Sequence, residues 1–345
     1  MVTIANGFSR QGKSVVLVLA NAKGPYLEDV ESSVRIVDFR SKRVSRCTFK
    51  LAAWIREYRP ACVLSALTHA NIVAIVAGAM AGRLGDIVVS QRGVLSDSMA
   101  DKPSIRNMLV GILTRLIYPR ARNIISVSDA VSRDLNSRFN VPLDKLVTVP
   151  NPISIERVLA KSNERNPAAA SLASESRLVL TAGRLHAVKD QATLIRAFAR
   201  VRAFTDVHLV ILGDGPLRES LEALAVSLNV AEFVTFIGFS QNPYSWMKVA
   251  DVFVLSSRHE GLPNVLIEAM VCGAKIVATD SPGGTSDILE GGEWGRLVPV
   301  GDDRLLAEAI LASLNDIAPP NVRSRALEYS EEKVMAMYSC VLKIQ

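Results

Sequence analysis

The chain has 345 residues, of which 49% are hydrophobic and 21% charged, with a formal net charge of +6. That length and apolar content suit two ordinary cores, and no apolar run reaches the length of a membrane span. Cys47, Cys62, Cys272 and Cys340 lie far apart without CxxC or His-rich spacing, which excludes a zinc site or a disulfide framework and fits reduced thiols in a cytosolic protein.

In chain order, residues 2–8 are predicted to form a helix and residues 15–20 a strand. A helix at 51–58, a strand at 62–67 and a helix at 70–81 follow, then a strand at 86–90, a helix at 105–118, a strand at 123–128 and a helix at 129–139. Val147-Thr148-Val149 leads into Pro150-Asn151-Pro152-Ile153, and the Ala/Ser-rich stretch 168–175 is predicted to be an exposed segment. Beyond residue 176 the alternation sharpens. A strand ending at Gly183-Arg184-Leu185 precedes a helix with Leu194, Ile195, Ala197, Phe198 and Val201 at helical spacing. The strand 208–212 ends in Gly213-Asp214-Gly215, and the strand 234–236 is closed by Gly238. A helix at 244–249 precedes the apolar run Val252-Phe253-Val254-Leu255; Pro263 and Asn264 then open a helix that Gly273 stops. Residues 275–279 are the next strand, and 326–342 a final helix. Strand, turn and helix recur about every 25 to 30 residues, the mark of parallel doubly wound sheets.

In such sheets, ligands gather at the C-terminal ends of strands, beside helix N-termini that attract anions. Glu260 falls on one of those turns and Glu268 just over one helical turn past the helix start, an arrangement suited to a ligand with hydroxyls and phosphates. Arg184 and Lys189, five apart across another turn, can supply a guanidinium and a point charge to a diphosphate. Taken alone, each pair is also compatible with ordinary surface charge. Gly213-x-Gly215 is no dinucleotide fingerprint, since position 218 is Arg. Residues 1–150 carry 21 Lys and Arg against 11 Asp and Glu, or +10, whereas residues 151–345 carry 19 against 23, or −4. A basic half fits a polyanion or an anionic membrane, and equally a solvated surface; no nucleic-acid module accompanies the charge.

Several pieces in a fixed order resemble glycosyltransferase family 4, retaining enzymes of the GT-B fold. They are Gly183-Arg184-Leu185 with Lys189; Leu212-Gly213-Asp214-Gly215-Pro216; Phe236-Ile237-Gly238; Ala250-Asp251-Val252; Glu260-Gly261-Leu262-Pro263; Glu268-Ala269-Met270; and Pro282-Gly283-Gly284. The resemblance implies two Rossmann-like domains facing a cleft. Residues 1–151 would form an acceptor-side domain, 152–325 a nucleotide-sugar domain, and 326–345 a helix crossing back to the first. It implies that Glu268 holds the ribose hydroxyls, and that Glu260, with the backbone of Gly261, Leu262, Pro263 and Asn264, holds the sugar and distal phosphate. Arg184 and Lys189 would stabilise the leaving diphosphate without a metal or other cofactor, Ile237 and Gly238 would lie near the base, and Gly183 and Gly213 would line the site. His69 and Arg92, each just past a first-domain strand, are further candidates, His69 toward catalysis and Arg92 toward the acceptor; a helix cap and a structural role stand beside those readings.

The implied reaction moves a hexose or N-acetylhexosamine, with retention, from a nucleotide donor (a UDP sugar) to a glycan or lipid-linked oligosaccharide in surface-polysaccharide assembly. Location would be cytoplasmic, with peripheral contact at the inner membrane face through residues 102–122. Those residues mix Arg106, Arg115, Arg120 and Arg122 with apolar positions at helical spacing, which also describes a domain helix with a basic edge. One departure from the family stands out. Residues 2–8 already match its first helix, so the first strand and its glycine-rich loop are missing, and Met1 is expected to be internal to a longer protein or a misplaced start. Rival readings are a GT-B nucleotide-sugar epimerase, a nicotinamide dehydrogenase lacking its glycine fingerprint, and an inactive, truncated binding protein.

Overall fold

The computed structural model describes residues 1–24, 27–100 and 104–344, with the backbone alone at Ser98. The chain divides into two compact units, residues 1–152 with 331–345, and residues 153–330.

The first unit opens with helix α1 (Val2–Arg10), followed by strands β1 (Val16–Leu19) and β2 (Arg35–Asp38). Next come α2 (Thr48–Tyr58), β3 (Val63–Ala66), α3 (Thr68–Met80), β4 (Ile87–Gln91), α4 (Leu95–Ala100), α5 (Ile105–Ile117), β5 (Asn123–Ser126), α6 (Asp129–Phe139) and β6 (Leu146–Thr148). All pairings are parallel, yet they form two sheets, β1-β2 and β3-β4-β5-β6. In these sheets β1 and β3 are half-buried along their whole length, whereas β4 is buried at every residue. Ser104 and Ser128 cap α5 and α6, each accepting a backbone N–H three residues on.

The second unit begins with α7 (Ile155–Ser162) and α8 (Pro167–Glu175), then β7 (Arg177–Ala182), α9 (Gln191–Arg202), β8 (Val207–Leu212), α10 (Arg218–Ser227) and β9 (Val234–Gly238). It continues through α11 (Tyr244–Val249), β10 (Val252–Leu255), α12 (Asn264–Cys272), β11 (Lys275–Thr279), α13 (Thr285–Leu289), β12 (Arg296–Val298), α14 (Asp303–Leu314) and α15 (Val322–Ala326). Its single parallel sheet has the order β12-β11-β10-β7-β8-β9. Alternate residues of the central strands, Val179, Leu209, Ile211, Val252, Val254 and Val277, pack against Leu194, Phe198 and Val201 of α9 and Leu306 and Ile310 of α14. The Ala/Ser-rich stretch is exposed as expected, apart from buried Ala169 and half-buried Leu172, and it is helical. Pro167 takes the first helical position, Asn166 accepts from Ala169 N at 3.1 Å, and Ala169 is buried.

The expected final helix over 326–342 is broken. Ser330 is extended (φ −58, ψ 148), and the last helix, α16 (Glu331–Leu342), belongs to the first unit. There Val334, Met335, Tyr338 and Leu342 join Ile4 and Phe8 of α1 over Val88 and Ile125.

Candidate functional site

From β7 the chain winds outward through β8 to β9, returns to β10 beside β7, and winds the other way to β12. The boundary between β7 and β10 is therefore the switch point, where loops leave in opposite directions and open a crevice at the strand ends. Lys189 follows β7 and Glu260 follows β10, and they meet across that boundary with Lys189 Nζ 2.5 Å from Glu260 Oε1. Ser257 Oγ donates to the same oxygen at 2.6 Å. Two more bonds join the loops: Ser256 Oγ donates to Lys189 O at 2.9 Å, and Arg258 N to Val188 O at 2.8 Å. Arg258 also pairs with the buried Asp190 at 3.1 Å. Arg184, on the same loop as Lys189, is exposed, and its guanidinium contacts no partner among the described residues. The crevice thus presents one cation held by a carboxylate and a second cation uncommitted.

Backbone contacts set the edge around this pair. Gly213 N donates to Gly238 O at 2.7 Å and Gly183 N to Leu212 O at 2.9 Å, which ties three strand ends together. At Gly213 (φ +129) a Cβ would lie 2.0 Å from Gly183 O. Ile237 and Phe239 flank Gly238, and Phe239 is 79% exposed. Across the crevice Glu260 N donates to Pro282 O at 2.9 Å and Gly284 N to Gly261 O at 2.9 Å. A Cβ on Gly283 (φ +130) would lie 1.8 Å from Glu260 O. Gly283→Ala is therefore expected to strain the turn and push Glu260 off Lys189, lowering stability by about 2–3 kcal/mol. Chemical denaturation checks this, and a change below about 0.5 kcal/mol would contradict it.

Gly261, Leu262, Pro263 and Asn264 carry the chain into α12, with Leu262 and Pro263 buried. Glu268, the fifth residue of α12, has different neighbours from Glu260. Tyr244 Oη donates to its Oε1 at 3.3 Å from α11, and Arg157 of α7 contributes a nearby positive charge. The residue is half-buried, but its carboxyl is enclosed. Burial pushes the carboxyl pKa up to about 7, against the opposing pull of the Tyr244 bond and the Arg157 charge. Cys272, one turn further, is pushed up to about 12 by burial and by the Glu268 charge. Ser257, Asp190 and Tyr244 were not singled out from the sequence. Ser257 sits three residues before Glu260, a usable signal, whereas Tyr244 comes from a separate helix and leaves none.

The other two candidates belong to the first unit. His69 is exposed in the first turn of α3, two residues after Leu67, whose φ of +77 is strained for a bulky side chain. Arg92, just past β4, contacts Tyr338 Oη of α16 at 3.3 Å and Ser90 Oγ at 3.5 Å. The structure brings Lys189 and Glu260 into contact and puts Arg184 on their loop, while Glu268 has its own partners. Of residues 102–122, Lys102 and Pro103 lie outside the described residues.

Two α/β units of parallel sheets with interspersed helices, the second doubly wound with a charged crevice at its switch point, make a GT-B fold of the glycosyltransferase class. The family described as Glycosyltransferase Family 4 matches residues 1–157, and the one described as Glycosyl transferases group 1 matches residues 176–316. Together the two matches mark the chain as a glycosyltransferase of the family 4 type. It is 33% identical over 250 residues to the N-acetylgalactosamine-N,N'-diacetylbacillosaminyl-diphospho-undecaprenol 4-alpha-N-acetylgalactosaminyltransferase of Campylobacter jejuni. That match covers 72% of this chain and 66% of the relative, just under two thirds of its length. Over 283 residues it is 27% identical to the N-acetyl-alpha-D-glucosaminyl L-malate synthase of Bacillus anthracis, covering 80% and 72% of the two chains. Among solved structures, Anabaena Alr3699/HepE in complex with UDP and glucose superposes with a TM-score of 0.81 at 20% identity, over 100% of this chain and 95% of that one.

Proposed function

We propose that the chain transfers a hexose or N-acetylhexosamine from a UDP sugar, with retention and without a metal, to a glycan or lipid-linked oligosaccharide at the inner face of the cytoplasmic membrane. The observation that carries this reading is the Lys189–Glu260 pair at the switch point with Arg184 beside it. Cations at that position oppose the charge that develops on a departing diphosphate, and holding Lys189 in place beforehand makes it effective. Both named relatives act on sugar substrates, and the first has a diphospho-undecaprenol acceptor in its name.

In this reading Glu268 and the Tyr244 hydroxyl receive the ribose, with Ile237 and Gly238 beside the base. Gly183 and Gly213 let the backbone approach the diphosphate. Glu260, with the backbone of Gly261 to Asn264, receives the sugar hydroxyls and in the free protein holds Lys189 in place. His69 remains a candidate toward catalysis and Arg92 one toward the acceptor. Transfer breaks the bond between the anomeric carbon and the phosphate oxygen and forms one to the acceptor oxygen on the same face. The acceptor's proton passes to the departing phosphate oxygen, and the anomeric configuration is kept.

The test is incubation with UDP-glucose, UDP-galactose and their N-acetyl counterparts, followed by proton NMR. Slow release of UDP and sugar with the α configuration appearing first is the expected result. Release of the β anomer first would overturn retention, an epimerised donor would favour the epimerase reading, and intact donors throughout would overturn the reading as a transferase.

A further inference from the structure

Strand β9 leaves the regular ladder at its C-terminal end. Ile211 of β8 pairs with Phe236 and Leu212 with Gly238, so Ile237 is an inserted residue opposite no partner. An inserted residue keeps its backbone N–H and C=O free of the neighbouring strand, and such bulges recur beside binding sites. Both neighbours of Ile237 are held. Gly213 N donates to Gly238 O at 2.7 Å, and Arg218 Nη2 donates to Phe236 O at 3.2 Å. The same guanidinium lies 5.9 Å from the Phe236 ring centroid, and its Nη1 is 3.5 Å from where a Cβ on Gly238 would stand. Arg218 thus grips the residue before the insertion and borders the one after it.

Local helix stability does not call for this arginine. It is the first residue of α10, where a cation opposes the helix dipole. Glu222, one turn on, accepts from its Nε at 2.8 Å and steadies the guanidinium beneath β9. The turn that carries Arg218 is itself fixed: Leu217 N donates to Leu185 O at 3.3 Å, and a Cβ on Gly215 would lie 2.3 Å from that oxygen. A clamped peptide can make a choice that a mobile one cannot. Uracil presents an N3–H donor beside a carbonyl acceptor, whereas cytosine presents an N3 acceptor beside an amino donor. A backbone N–H and C=O suit the first order in one orientation and the second after the peptide turns over. Held at Phe236 and at Gly238, the Ile237 backbone is confined to one orientation.

We infer that Arg218 is a positioning residue for base selection, clamping the inserted Ile237 so that the site discriminates uracil from cytosine. The inference rests on the proposed function, which puts Ile237 and Gly238 beside the base, and adds the side chain that sets selectivity there. Titration calorimetry of UDP and of CDP into the full chain tests it. The two nucleotides share ribose and diphosphate, so their affinity ratio isolates the base. Wild type should bind UDP at least about tenfold more tightly than CDP. Arg218→Met, which keeps the aliphatic stem and removes the donors, should lower that ratio about fivefold or more. Arg218→Lys retains one donor for Phe236 O and should restore most of it. Glu222→Gln leaves the Phe236 bond in place and should hold the ratio within about twofold of wild type. A general loss of structure would weaken both nucleotides alike and leave the ratio unchanged. That result with Arg218→Met, or equal binding of UDP and CDP by wild type, would overturn the inference and leave the transferase reading standing. No heat from wild type with either nucleotide would sink the transferase reading and the inference together.

Discussion

Replacing Lys189 by Ala is expected to lower the transfer rate by about two to three orders of magnitude, the usual loss when a preorganised donor facing a developing anion is removed. Its Nζ is the cationic group that the structure fixes at the switch point, 2.5 Å from Glu260. Arg184→Ala should cost a similar factor for a different reason. Arg184 has no partner among the described residues in the free protein, so its loss removes only contacts made with donor and leaves stability within about 0.5 kcal/mol of wild type. Glu260→Gln differs again, because it frees Lys189 and Ser257 together. It should raise KM as well as lower kcat. Steady-state kinetics and thermal unfolding separate the three; a Lys189→Ala enzyme within threefold of wild type would contradict the role assigned to the pair.

The second large effect concerns Glu268. Its pKa in the fold, pushed up to about 7 from the usual 4.5, leaves acid and carboxylate in comparable amounts near neutral pH in the free protein. The corresponding stability is fully present below pH 4.5 and is lost as pH rises through about 7, because the unfolded chain releases that proton first. The shift sets an upper bound of about 3 kcal/mol on that loss. Glu268→Gln should therefore melt higher than wild type at pH 8, with the difference shrinking below pH 5. Donor binding should move the opposite way. An ionised carboxylate accepts ribose hydroxyls more strongly than a neutral acid or amide, a difference of about 1.5–3 kcal/mol or about 10- to 100-fold in affinity. Wild-type affinity for a UDP sugar should thus rise between pH 6 and 8, and Glu268→Gln should bind weakly with a flat profile. Calorimetry across that range checks both; a pH-independent wild type would show that Glu268 does not meet the ribose.

These expectations rest on features of unequal visibility in the sequence. The second unit is readable from β7 to β11, because its strands there are continuous apolar runs followed by glycines forced by close backbone approach, as at Gly213 and Gly283, whereas α7, α13, β12, α14 and α15 are not foreseen. In the first unit β1, β3, β4 and β5 are visible as apolar runs, whereas β2 (Arg35-Ile36-Val37-Asp38) has only two apolar residues between charges and shows no such run. Pairing was harder to foresee, and the division into β1-β2 and β3 to β6 emerges only in three dimensions. Composition marks residues 168–175 as exposed, and their helical form is signalled only by the Asn166-Pro167 start. The final helix was drawn too long because nothing apolar changes at Ser330, where only the backbone turns.

At the site, Glu260, Glu268, Arg184 and Lys189 stood out by spacing and by resemblance. What spacing does not convey is which of them touch. The Lys189–Glu260 contact depends on β7 and β10 being neighbours, a fact of strand order rather than of local pattern. Tyr244 reaches Glu268 from α11, 24 positions away in the chain, by the packing of two helices.

Titration calorimetry of UDP into the full chain, with a chelator present, tests the central claim most directly. Single-site binding that weakens about tenfold or more in both Lys189→Ala and Glu268→Gln is the predicted result. The absence of binding heat with UDP and every UDP sugar, or heat that neither substitution changes, would contradict the account.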